Sequence, residues 1–140
     1  MTISAPISGL TSVVLTAAIT NMNGFIVIGV LNQVFNSSTM TIPSATNIKQ
    51  GIFSQNVSLV AVQMIHATQN YNTTFQFTGL TANTLYSFFY FCTVEDPSIT
   101  SLTSAVRVTS AQTLQMLTIN INWESTLTLL ILPFIVLLLL

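Results

Sequence analysis

The chain reads as an all-β protein, a two-sheet sandwich followed by an apolar C-terminal tail, and three observations carry that reading. Apolar and polar residues alternate with a period of two, as where Thr73, Phe75 and Phe77 share one face of a short segment. Clusters of Asn, Gly, Pro and Ser punctuate the chain between such runs. No helical period of useful length precedes the tail. Several short strands with turn signals between them call for two packed sheets.

The first strand covers 13–20, where Val13, Leu15, Ala17 and Ile19 alternate with Val14, Thr16, Ala18 and Thr20; it stops at the turn Asn21, Met22, Asn23, Gly24. A second covers 25–35, with aliphatic bulk at Ile26, Val27, Ile28, Val30 and Leu31. Asn36, a Ser/Thr run and Pro43 then read as a connection, and 45–50 as a short helical turn ended by Gly51. A third strand is expected at 58–66, ending at His66, and a fourth at 72–78. The most strand-like segment is 85–93, with Tyr86, Phe88, Phe89, Tyr90 and Phe91. If Tyr86, Phe88 and Tyr90 face the core, Phe89 and Phe91 face away from it. They then form an interface or lie beneath a neighbouring segment, or else the strand is central and covered on both faces. After the loop Glu95, Asp96, Pro97, Ser98, a last strand at 102–109 is expected to turn Val106 and Val108 inward.

Composition narrows the function classes. Charged residues are 4% of the chain and the formal net charge is −1, against about a quarter charged in ordinary soluble domains. Lys49 and Arg107 alone build no basic surface, which argues against a nucleic-acid partner. A surface this poor in charge is prone to associate unless it is hydrated otherwise. The N-x-[ST] sequons at Asn36, Asn56 and Asn72 supply a route, because N-linked glycans would hydrate it and would place the chain extracellularly or at a cell surface. Met1 is followed by no Lys or Arg, and the apolar stretch 12–19 lacks the basic flank of a signal peptide, so either Met1 is not the start of the gene product, the leading expectation, or a signal has already gone. The single Cys92 forms no internal disulfide and reads as a small buried hydrophobe.

The run Gly79-Leu80-Thr81-Ala82-Asn83-Thr84-Leu85-Tyr86 resembles the G-L-x-x-x-T-x-Y signature before the sixth strand of fibronectin type III and related immunoglobulin-like domains. Residues 101–109 resemble the closing strand of the same family. The resemblance covers about residues 7–111 and implies a fibronectin type III/immunoglobulin-like sandwich, a module type without a particular ligand. By position it gives Leu80 the role of core plug and Tyr86 that of the tyrosine corner, whose hydroxyl bonds to backbone upstream. Tyr90-Phe91-Cys92 mimics the immunoglobulin Tyr-x-Cys, but a lone cysteine has no bridge to make. The buried tryptophan of an early strand is missing, since the only Trp is Trp123.

Three regions are therefore expected: the sandwich over 1–111, a strand-like connector over 112–124, and an apolar tail over 125–140. In the connector, Leu117, Ile119, Ile121 and Trp123 alternate with Thr118, Asn120 and Asn122. In the tail, Leu127, Leu129, Leu130, Ile131, Leu132, Phe134, Ile135 and Val136 leave Thr128 as the only hydroxyl from 127 onward. A helix over 127–140 reaches about 21 Å, short of the roughly 30 Å hydrocarbon core of a bilayer. A single-pass anchor is thus the weakest fate. A cleaved lipid-anchor signal fits the tail length but not the strand-like spacer, and burial in another protein is the third fate. Pro133 argues against one continuous donor strand.

Catalytic constellations are nearly absent. His66 with Asp96 and a serine lacks any nucleophile-elbow context, and one His, one Cys and three acids furnish no convincing metal site. Neither an enzyme nor a cofactor is expected. The leading expectation is a structural glycoprotein subunit of an extracellular fibre, assembled head to tail by insertion or strand addition of its C-terminal segment into another copy. Next comes a lipid (GPI)-anchored cell-surface adhesion module, the one reading with a membrane partner. A module that binds an external partner through its loops is third.

Overall fold

A computed structural model describes residues 1–21, 23–94 and 103–117. The fold is an all-β sandwich. Its strands are β1 (Thr2–Ile3), β2 (Ile7–Ser8), β3 (Ser12–Ala18), β4 (Gly24–Leu31), β5 (Ile52–Ser54), β6 (Val57–Ser58), β7 (Ala61–Ala67), β8 (Asn72–Thr78), β9 (Leu85–Val94) and β10 (Arg107–Gln112), with one short helix, α1 (Ala45–Lys49).

One sheet is built on β3, which pairs with β8 along its whole length and with β1 and β2 on its other side. Strands β1 and β2 are one strand broken around Pro6, which has no N–H to give to a ladder. At the break the Ser4 N–H still donates to the Thr16 carbonyl at 2.8 Å, while the Ser4 hydroxyl accepts from the Thr16 N–H at 3.2 Å. The other sheet runs β10-β9-β4-β7, all antiparallel. With β1 and β2 counted as one, the sandwich has three strands against four, an arrangement compatible with an immunoglobulin- or fibronectin type III-like module.

Between the sheets lies the main core. Val13, Leu15 and Ala17 of β3 and Phe75 and Phe77 of β8 meet Ile26, Ile28 and Val30 of β4 and Tyr86, Phe88 and Tyr90 of β9. The Phe77 and Phe88 rings meet across the sandwich at 5.6 Å. Cys92, expected to be buried, is half-buried and packs against this core.

A second, smaller core lies on the opposite face of the four-strand sheet. Residues 32–60, of which only the stretch from Asn36 to Pro43 read as a connection in the sequence, leave β4 and fold back over that face before Val60 rejoins it through a bond from its N–H to the Val30 carbonyl. Ile48 of α1, Phe53 of β5 and Leu59 cover Val27 and Leu31 of β4 and Phe89 and Phe91 of β9. Phe89 is held between Phe35, edge-on at 5.5 Å, and Phe53, tilted at 5.5 Å. Helix α1 starts at Ser44, whose hydroxyl accepts from the Asn47 N–H at 3.1 Å, and the chain turns out of it at Gly51, with φ +74°. At Gly29 the cover presses on the sheet itself, since a Cβ there would lie 2.7 Å from Leu59 Cδ1 and 2.8 Å from Ile48 Cγ2.

The structure chooses between two alternatives here and corrects one expectation. Phe89 and Phe91 are fully buried under the chain's own 32–60 segment, so the strand is covered on both faces. Val106 and Val108 are half-buried against this second core, not turned into the sandwich, because Val108 pairs with the outward Phe89 while Ala111 pairs with the inward Tyr86. The last strand is accordingly 107–112, shifted toward the C-terminus.

Candidate functional site

The resemblance-derived roles fall at one end of the sandwich. Leu80 is buried there, and the Tyr86 hydroxyl accepts a hydrogen bond from the Thr81 N–H at 2.9 Å, pinning the turn between β8 and β9. A buried threonine absent from the sequence reading completes the corner. Thr113 donates its hydroxyl to the Thr81 carbonyl at 2.6 Å and accepts from the Thr84 N–H at 2.9 Å. No pattern in the sequence distinguishes Thr113 from the chain's many other hydroxyls; only the fold does.

That corner also fixes where the chain leaves. The Leu114 N–H donates to the Gly9 carbonyl at 2.9 Å, and the Leu114 carbonyl accepts from the Asn83 N–H at 3.1 Å. Residues 112–114, assigned above to the connector, therefore belong to the sandwich. At this end the described chain exposes apolar side chains: Leu114 and Met116 lie open, and Leu117 is 89% exposed. Leu10, in the turn beside Gly9, and Ile7, 69% exposed on β2, add apolar surface near the same end. Trp123 and the tail residues from Leu127 onward lie outside the described residues.

All three sequon asparagines are exposed. Asn36 opens the covering segment, its side-chain oxygen accepting from the Ser38 N–H at 2.9 Å. Asn56 sits in the turn between β5 and β6, and Asn72 begins β8 at the sheet edge. Between the Asn36 and Asn56 regions, the covering segment forms a groove of about 460 Å³. Met40, Ile42, Phe53 and Val57 give it an apolar lining, with Gln33 and Asn47 among its polar groups. Among the described residues, no charged side chain lines it.

Little else converges. Among the described residues, no group of three His, Cys, Asp or Glu side chains stands where a metal ion would be held. His66 is exposed on the edge strand β7, edge-on to Phe25 with ring centroids 5.5 Å apart. Lys49 and Arg107 are the only charged side chains among the described residues. The Lys49 ammonium rests 5.8 Å from the centre of the Phe91 ring, so one of the two closes the rim of the second core. Among the described residues, no helix is long and apolar enough to cross a membrane. No protein-family model matches the chain, and no curated protein matches it in sequence.

Proposed function

We propose that the chain is a non-enzymatic structural subunit of an extracellular fibre, a glycoprotein that assembles head to tail when its C-terminal segment adds to a neighbouring copy. The observation that carries this reading is the exposed apolar surface of Leu114, Met116 and Leu117, at the point where the chain leaves the sandwich toward its least polar residues. The sandwich is of the fibronectin type III kind in this reading, supported by its three-plus-four strand arrangement and by the Tyr86 to Thr81 bond. Its own strands fill both sheets, which favours addition at an edge over insertion into a gap. Partners are copies of the chain, and glycans at Asn36, Asn56 and Asn72 hydrate a surface with few charges. Removing those glycans is expected to promote aggregation.

The completeness of the sandwich also favours a second reading. A self-contained module with an apolar segment leaving from one end suits a lipid (GPI)-anchored adhesion module at a cell surface, its tail a cleaved signal. Intact mass and carboxy-terminal sequencing of native material separate the two. A chain ending at Leu140 within a filament supports the fibre. A chain ending upstream of Leu127 with lipid attached defeats the fibre and supports the anchor.

A further inference from the structure

The groove in the covering segment has the chemistry of a carbohydrate seat, and we infer that the glycan attached to Asn56 folds back into it. This inference rests on the reading of the chain as a glycoprotein. The volume of about 460 Å³ falls in the range of small-molecule sites, about 300–1,000 Å³.

Its lining suits a neutral, hydroxyl-rich ligand that also has an apolar face. Phe53, Met40 and Ile42 offer carbon surface to the C–H face of a sugar ring. The Gln33 and Asn47 amides and the Thr41 hydroxyl line the same groove, and none of these side chains has a hydrogen-bond partner among the described residues. Each is free to serve sugar hydroxyls. A charged ligand finds no counter-charge there.

Attachment geometry selects Asn56. Ser54 and Val57, the pair that closes the β5–β6 turn, both line the groove, and Asn56 lies in the turn between them. A sugar on Asn56 is therefore tethered beside the groove at high effective concentration, which removes most of the entropy cost a free sugar meets. Asn72, at the start of β8 in the three-strand sheet, has no lining residue of this groove beside it and serves as the internal control. Seated in this way, the glycan covers Ile42 and Val57, both exposed in the bare chain.

The test uses the full chain made in a glycosylating host. Site-resolved mass spectrometry first establishes occupancy, and the rate of endoglycosidase release is then followed at each site under native conditions. A glycan that is docked most of the time is released only from its undocked fraction, so release at Asn56 is expected about tenfold slower than at Asn72. The double variant Ile42→Ser, Asn47→Ala is expected to bring the Asn56 rate up to the Asn72 rate, as is unfolding of the wild-type chain. Occupied Asn56 released as fast as Asn72, or a slow release unchanged by the double variant, overturns the seat while leaving the glycoprotein reading intact. Absence of glycan from all three sequons overturns both.

Discussion

The outer faces of the two sheets meet opposite fates. On the three-strand sheet the paired rows are Ser12 with Thr78, Val14 with Gln76 and Thr16 with Thr74, and every one of these residues is half-buried or exposed. On the four-strand sheet the rows are Val27 with Phe91 and Gly29 with Phe89, and Val27, Phe89 and Phe91 are fully buried. An alternating strand needs one apolar contact; a strand apolar on both faces needs two. The chain supplies the second contact itself, from residues 32–60. The three-strand sheet is left with a small-polar face, two of whose members are threonines paired across strands, and the described chain ends in an exposed apolar exit at Leu117. Among the described Phe and Tyr residues only Tyr71 is largely exposed, so the described sandwich offers another copy little aromatic surface, and the exit offers it the aliphatic side chains of Leu114, Met116 and Leu117.

The sharpest way to break this comparison is to truncate the same kind of position on each face. Phe89→Ala is expected to destabilise by about 3–5 kcal/mol, because Phe35 and Phe53 lose the ring they enclose and the cavity relaxes only in part. Urea denaturation monitored by circular dichroism reads it. A loss under about 1 kcal/mol would mean that the cover is dispensable and the outer face of the four-strand sheet is effectively open.

Gly29→Ala probes the cover from below. The added methyl meets Leu59 and Ile48, side chains of the covering segment, and the overpacking is expected to cost about 1–3 kcal/mol. Pairing it with Leu59→Ala should recover part of that loss in a double-mutant cycle, and additive losses would contradict the contact.

Tyr86→Phe acts at the corner rather than on a face. It leaves the Thr81 N–H without its acceptor and is expected to cost about 1–2 kcal/mol, with faster hydrogen exchange at Thr81 as a local signature. Thr74→Ala, on the open face, is expected to stay within about 0.5 kcal/mol of wild type. A large effect there would show that the three-strand sheet has a hidden cover of its own.

Much of this contrast was legible in the sequence. The Thr/Phe alternation of 72–78 marks β8 to the residue, since an alternating face leaves one register open. The unbroken aromatic run of β9 left an interface and burial on both faces as alternatives, and only the fold shows what covers it. Residues 32–60 hid their role because Ser, Thr and Pro dominate their first half, and the apolar anchors Ile48, Phe53 and Leu59 are too widely spaced to show a period. The last strand was misplaced for a related reason. Val106, Val108 and Ala111 are all acceptable strand residues, and the register that sets Val108 opposite Phe89 and Ala111 opposite Tyr86 comes from pairing with β9 rather than from the local pattern. At the candidate site, the sequons and the tyrosine motif are local signals and were readable, whereas the groove depends on how residues 33–57 fold back on themselves and Thr113 on its meeting Thr81 and Thr84.

The claim that this self-covered sandwich works through its exit is tested most directly by comparing the full glycosylated chain with one ending at Leu117, by sedimentation velocity and electron microscopy. The account predicts filaments for the full chain and a folded monomer for the shortened one, with an unchanged denaturation midpoint. A shortened chain that still assembles, or a full chain that keeps its tail and stays monomeric, would contradict it.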